Sequence, residues 1–131
     1  MKPDDWTDEQ LRIAIALHQG WSVVERHKVP VLLNPQGQEL WHYSNRGTSF
    51  GPCRSWDEAL CKGSHYAKMV PNYPSDLNAV HAAIMSKVDG HRDEEYRENL
   101  ALQTGQYSTI FKATAREHCL AYVLTFNLPK P

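Results

Sequence analysis

The sequence predicts an α+β domain, a short antiparallel meander of about three strands packed between α-helices in three α-β-α layers. Three observations carry that expectation. Thr7–Gln10, Ser55–Glu58 and Thr114–Glu117 each place a hydroxyl residue three positions ahead of Glu or Gln, the pattern of a capping box at a helix start. Between residues 21 and 43, short β-branched and aromatic segments follow one another with connections too brief for a crossover. On either side of that block the apolar residues recur at helical spacing.

The elements follow in order. Residues 1–6 and 129–131 are expected to be loose ends of one domain spanning 1–131. Thr7 opens a first helix that runs to about Gln19, where Gly20 can take the left-handed conformation that ends it. Leu11, Ala14, Ile15 and His18 share a face and Ile13 and Leu17 lie nearly opposite, so this helix is expected to pack on two sides. Strand-like segments then cover 21–26, 29–33 and 39–43, with Pro30 expected at a strand start or bulge. Asn34-Pro35-Gln36-Gly37 supplies a turn. Residues 44–54 read as a loop, and Ser55 opens a short helix that stops near Gly63.

The chain is organised around residues 71–81. Pro71 and Pro74 hold the approach extended, Ser75 is the expected N-cap, and Asp76 favours the helix dipole. Leu77, Val80, Ile84 and Val88 form the expected core stripe, and Asp89-Gly90 ends the helix. Residues 92–98 read as a solvated helical face anchored by Tyr96 and Leu100. Thr104-Gly105-Gln106 breaks the chain, 107–112 reads as a brief extended segment, and the last helix runs from Thr114 until Pro129 forbids continuation.

Pro71-Asn72-Tyr73-Pro74-Ser75-Asp76-Leu77-Asn78-Ala79-Val80-His81 resembles the PxYxxDLNAxHxA element of small phage proteins with the α-β-α ("phage ABA sandwich") domain. Ala113-Thr114-Ala115-Arg116-Glu117-His118-Cys119-Leu120 resembles that family's closing ATAxxRxEAxLxTL helix, and Gly20-Trp21 and Pro35-Gln36-Gly37 also fit. The family's RxEA is replaced here by His118-Cys119-Leu120-Ala121. The resemblance implies a three-layer fold and a phage or prophage origin. It implies no particular activity.

Bulk properties narrow the function classes. With 131 residues, 41% hydrophobic and 22% charged, the chain can bury a core of its own. A formal charge of -1 supplies no global field for nucleic acid or an anionic membrane, so a polyanion site would have to be local. No apolar run approaches the roughly 20 residues that span a bilayer. Three cysteines cannot all pair within one chain, and the N-terminus does not read as a signal peptide, so a reduced, intracellular protein is expected.

Three kinds of chemistry compete. Cys61 and His65, with Cys53 or His42, have the residue types of a zinc site, but Gly63 interrupts their helix and no Cys-x-x-Cys exists; no resident metal or other cofactor is expected. Gly-x-Ser-x-Gly, phosphate-loop and His-Glu-x-x-His motifs are absent, and a Cys53 or Cys119 nucleophile rests on nothing more specific than composition. A binding surface is the better expectation. Trp41 and Tyr43 lead into a loop bearing Arg46, Phe50 and Arg54, a mixture suited to stacking, phosphate contacts or a protein interface. The second candidate is the helix start at Asp76, Asn78 and His81, where a histidine near backbone donors can act as base or ligand; the plainer reading of His81, as of His18, is a core-edge histidine.

Together with the phage resemblance, these observations favour a non-enzymatic accessory protein in the host cytoplasm. It would bind a host or phage protein complex, as an inhibitor of a host defence assembly does. The alternatives are a nucleic-acid-binding module using residues 44–54 and a metal- or cysteine-dependent hydrolase.

Overall fold

The computed structural model describes residues 5–26, 28–39, 41–43, 49–53, 55–60, 70–105 and 113–131. The protein is α+β. In chain order its elements are α1 (Asp8–His18), β1 (Ser22–Arg26), β2 (Val29–Leu33), β3 (Trp41–Tyr43), β4 (Ser49–Pro52), α2 (Trp56–Leu60), α3 (Leu77–Lys87), α4 (Asp93–Thr104) and α5 (Ala115–Phe126). The backbone divides into two compact units, Met1–Ile15 with Asn72–Pro131, and Ala16–Pro71. None of the helices described is long and apolar enough to cross a membrane.

The unit Ala16–Pro71 is built from two-stranded antiparallel pairing. β1 and β2 form a hairpin in which Ser22 faces Leu33 and Arg26 faces Val29. Pro30 sits second in β2, exposed and opposite Glu25, near the strand start where a missing N–H is tolerated. Val31, Leu32 and Leu33 are buried. Gly20, at φ 110°, ends α1; a Cβ there would stand 3.3 Å from Pro35 Cβ, so both backbone and space ask for glycine. In the Asn34–Gly37 turn, Asn34 Oδ1 accepts from the backbone N–H groups of Gln36 (3.0 Å) and Gln38 (2.9 Å).

The third strand-like segment does not extend that hairpin as a regular strand. Glu39 meets Leu33 at a single bridge, and β3 pairs instead with β4, through an irregularity between His42 and Tyr43. The reading of 44–54 as a continuous loop is therefore corrected, because residues 49–52 are a strand. Its glycine and proline argue against a strand, but hydrogen bonding to β3 outweighs that weak local preference. The end of α2 near Gly63 and the extended segment at 107–112 lie outside the described residues.

In the other unit the helix caps were legible and the buried faces less so. Thr7 Oγ1 accepts from Gln10 N–H (3.1 Å) while Gln10 Oε1 accepts from Thr7 N–H (2.9 Å), a complete capping box. Thr114 and Glu117 make the same reciprocal pair at α5. For α3 the cap is Asp76, not Ser75. Asn72 O accepts from both Ser75 N–H and Asp76 N–H, which closes a turn and delays the helix by one residue. Asp76 Oδ1 then accepts from Asn78 N–H (3.0 Å) and Ala79 N–H (3.2 Å).

α3 buries Val80 and Ala83, with Ile84 and Val88 half-buried against a cluster of Tyr96, Leu100, Ala113 and Ala121. Leu77, expected in the core, is 42% exposed. Two-sided packing of α1 holds only in part: Leu11, Ala14, Ile15 and Ala16 are buried, while on the far face Ile13 is half-buried and Leu17 is 45% exposed. α4 presents Tyr96, Leu100 and Ala101 inward, as the Tyr96–Leu100 spacing predicts, and places Asp93, Glu94 and Glu95 at its positive end.

Leu100→Ala should cost about 2–5 kcal/mol in urea unfolding, whereas Leu77→Ala should cost about 1 kcal/mol at most. At the helix start, Asp76→Ala should cost about 1 kcal/mol and Ser75→Ala should stay near wild type. Equal losses at Leu77 and Leu100 would contradict the packing described.

Candidate functional site

Three helices of the Met1–Ile15/Asn72–Pro131 unit bring together side chains that lie far apart in the sequence. α3, started by the Asp76 cap, carries His81 one turn inside its first residue. α5 starts with Thr114 and Glu117 locked to each other, and His118 follows within the same turn. α4 carries Tyr96 on its buried face. His81, Ile84, Met85, Tyr96 and His118 line a cavity of about 270 Å³.

His118 is the hub. Its Nδ1 is hydrogen-bonded to the Tyr96 hydroxyl, and its Nε2 stands 3.4 Å from His81 Nε2. The two imidazoles meet edge to face, with centroids 4.7 Å apart and planes at 88°. Burial raises the Tyr96 pKa, with Cys119 adding to the effect, so Tyr96 is a neutral phenol. Burial, joined by the His81 ring and opposed by Glu117, lowers His118 to about 4. A neutral His118 that accepts the Tyr96 O–H at Nδ1 carries its one hydrogen on Nε2, directed at His81. The result is a chain of three polar groups, Tyr96 to His118 to His81, running from the core to the surface.

The sequence candidates are distributed as follows. Arg46 and Arg54 lie outside the described residues. Trp41 and Tyr43 fall on β3 and Phe50 on β4, so they belong to one hairpin, and their side chains are outside the description. Asp76 spends its carboxylate on the cap, and Asn78 is exposed in the first turn of α3. Among the candidates whose side chains are described, His81 lines the cavity and Asp76 and Asn78 do not. Of the residues considered for metal or nucleophilic chemistry, Cys61 and His65 are not described. Cys53 is a buried thiol donating to Ser55 O (3.3 Å). Cys119 is fully buried, and that burial raises its pKa, so it is a protonated core thiol rather than a nucleophile.

Tyr96 and His118 were missed as site residues. Tyr96 is legible in the sequence as a helix anchor, but nothing in the spacing joins it to His118. Comparison of the chain with known protein families, with characterised proteins and with solved structures finds no match.

The depressed His118 pKa fixes a sign for acid sensitivity. Folded His118 stays neutral where the unfolded residue, near 6.5, already takes a proton, so the unfolded state binds more protons between about pH 4 and 6.5. Stability from this group is present above that window and lost as pH falls through it. His118→Gln should flatten the slope of unfolding free energy against pH in that window. Imidazole NMR titration should find His118 still neutral at pH 5.5.

Proposed function

We propose that the chain is a non-enzymatic binding protein that docks a partner protein on the outer face of α3. The observation that carries this is the row Leu77, His81 and Met85. These residues are spaced i, i+4 and i+8, they are all exposed, Met85 is 83% exposed, and two of them line the cavity. An apolar row beside a cavity with a few polar groups matches a protein interface, in which one side chain of the partner fills the hollow. Met85 suits this because its thioether side chain adapts to what it meets.

Binding is favoured over catalysis by where the polar groups point. Tyr96 and His118 answer each other and His118 answers His81, so these groups do not stand unpaired toward a substrate. The wider part of the proposal rests on the resemblance to small phage proteins. On that basis the chain is a phage accessory protein acting in the host cytoplasm, its partner is a host macromolecular complex such as a defence assembly, and its finer architecture is the three-layer α-β-α arrangement of the proteins it resembles.

The test is capture from host lysate by immobilised protein, with nuclease present, followed by reconstitution with the purified partner. Met85→Glu and Leu77→Asp should each weaken the reconstituted complex at least about tenfold, which corresponds to a buried apolar anchor. Leu102→Glu, at a site 74% exposed on α4 and outside the cavity lining, should leave it unchanged. Folded Met85→Glu protein that binds like wild type, or capture abolished by nuclease, would overturn the proposal.

A further inference from the structure

We propose that the outer edge of β1 pairs with β1 of a second copy of this chain, antiparallel about a two-fold axis at Val24. The edge belongs to the Ala16–Pro71 unit, so this interface is separate from the docking face on α3. The alternation of hydrogen bonds along the hairpin decides which backbone groups the edge offers. Leu32 N–H donates to Cys53 O (2.8 Å), so the backbone groups of Leu32 point away from β1. Pro30, two residues earlier, faces the same way, and its missing N–H costs the hairpin nothing. Opposite Leu32 and Pro30 stand Val23 and Glu25, whose N–H and C=O groups consequently point out from the free edge. Ser22, Val24 and Arg26 turn theirs inward, to Leu33, Val31 and Val29.

Among the described residues β1 pairs with β2 alone, and no backbone bond reaches Val23 or Glu25 from outside the hairpin. Such an edge is a template for another strand unless a proline, a bulge or a charged, very short strand blunts it. β1 contains no proline, and its register with β2 runs unbroken over five pairs. Val23 is 40% exposed and Glu25 is exposed, whereas Val31, Leu32 and Leu33 of β2 are buried. β1 is the open margin of the hairpin.

A second copy fits this margin in one register. With Val24 opposite Val24 of the second copy, Val23 faces Glu25 and Glu25 faces Val23. Each of these pairs exchanges two hydrogen bonds, so every outward group is answered on both chains. A slide of one residue sets Val23 against Val24, whose groups are already taken by Val31. A slide of two residues one way puts Glu25 directly against Glu25, an unfavourable like-charge pair. The other way, Glu25 meets Trp21, whose N–H is already given to Ala16 O (3.0 Å). Two strands of five residues bury little surface, so the dimer is weak and reversible.

The test is sedimentation of the full-length protein over a range of concentrations, with dimer expected to appear below about 1 mM. Val23→Pro removes an outward N–H and no bond to β2, a change an edge strand tolerates. It should weaken dimerisation at least about tenfold, because two interchain bonds are lost per dimer, and leave circular dichroism unchanged. Val24→Cys should form an interchain disulfide under mild oxidation, since residues opposite each other at such a position lie about 4.5 Å apart at Cα. Val23→Cys, displaced from the axis, should cross-link no faster than wild type. If Val23→Pro disturbs the fold, cross-linking at Val24 decides. A protein monomeric at about 1 mM, a dimer that folded Val23→Pro retains in full, or Val24→Cys cross-linking no faster than wild type would each overturn the proposal. So would a monomeric chain that captures another protein and loses it in Val23→Pro, which would give the edge to a foreign strand.

Discussion

The Met1–Ile15/Asn72–Pro131 unit depends on the burial of α5. From Cys119 to Val123 every residue is buried, and Thr125 is buried as well, so α5 has little surface left for water. A helix so enclosed must have its polar groups answered from within, because an unpaired buried donor or acceptor costs about 1–3 kcal/mol. The residues that answer them sit at helical spacing around the start of α4. Arg92 donates to Thr125 O (3.1 Å) with its guanidinium over the Phe126 ring, Asn99 donates to Thr125 Oγ1 (3.0 Å), and Tyr96 bonds His118. Thr125 completes its own account by donating to Ala121 O (2.8 Å). At the other end of α5, Arg116 donates to Trp6 O (2.7 Å) and pairs with Asp8, which ties α5 to the approach to α1.

How much of this was legible depended on the range of the interaction involved. Capping boxes at Thr7 and Thr114, the turn at Asn34 and the glycine stop at Gly20 are decided within four residues, and the sequence displays them in full. The choice between Ser75 and Asp76 as cap is also made within four residues, but both are good N-caps by residue type and it is the backbone turn from Asn72 that selects the second. Pairing was less accessible still. Whether residues 39–43 continue a meander or join 49–52 depends on partners that the local pattern does not encode. The site lay further out of reach, because His81, Tyr96 and His118 sit on three helices and are brought together only by packing.

The stripe on α3 shows how a correct pattern can still give the wrong face. Leu77, Val80, Ile84 and Val88 do recur at helical spacing, and a large leucine at the edge draws the predicted core toward itself. The helix instead centres on Val80 and Ala83, with Ile84 and Val88 at one margin and Leu77 outside. Small residues decide the matter. Ala83 is buried beside Val80, and an alanine at the centre of a buried face leaves the larger leucine at its rim.

That rotation is also what creates the site. His81 and Met85 share a row with Leu77, so turning Leu77 into the core would carry both inward with it. His81 would then need a buried partner, and Met85 would be core. Because the row faces out, His81 projects at the surface while Ile84, one step round the helix, still reaches the cluster containing Tyr96. Tyr96 in turn holds His118 by Nδ1, and that leaves Nε2 as the nitrogen that meets His81. The apolar exposure of α3 and the pairing of the two imidazoles thus have one structural cause. A change that rotated α3 would remove them together, whereas a change at Met85 alone would alter the surface and leave the histidine pair in place.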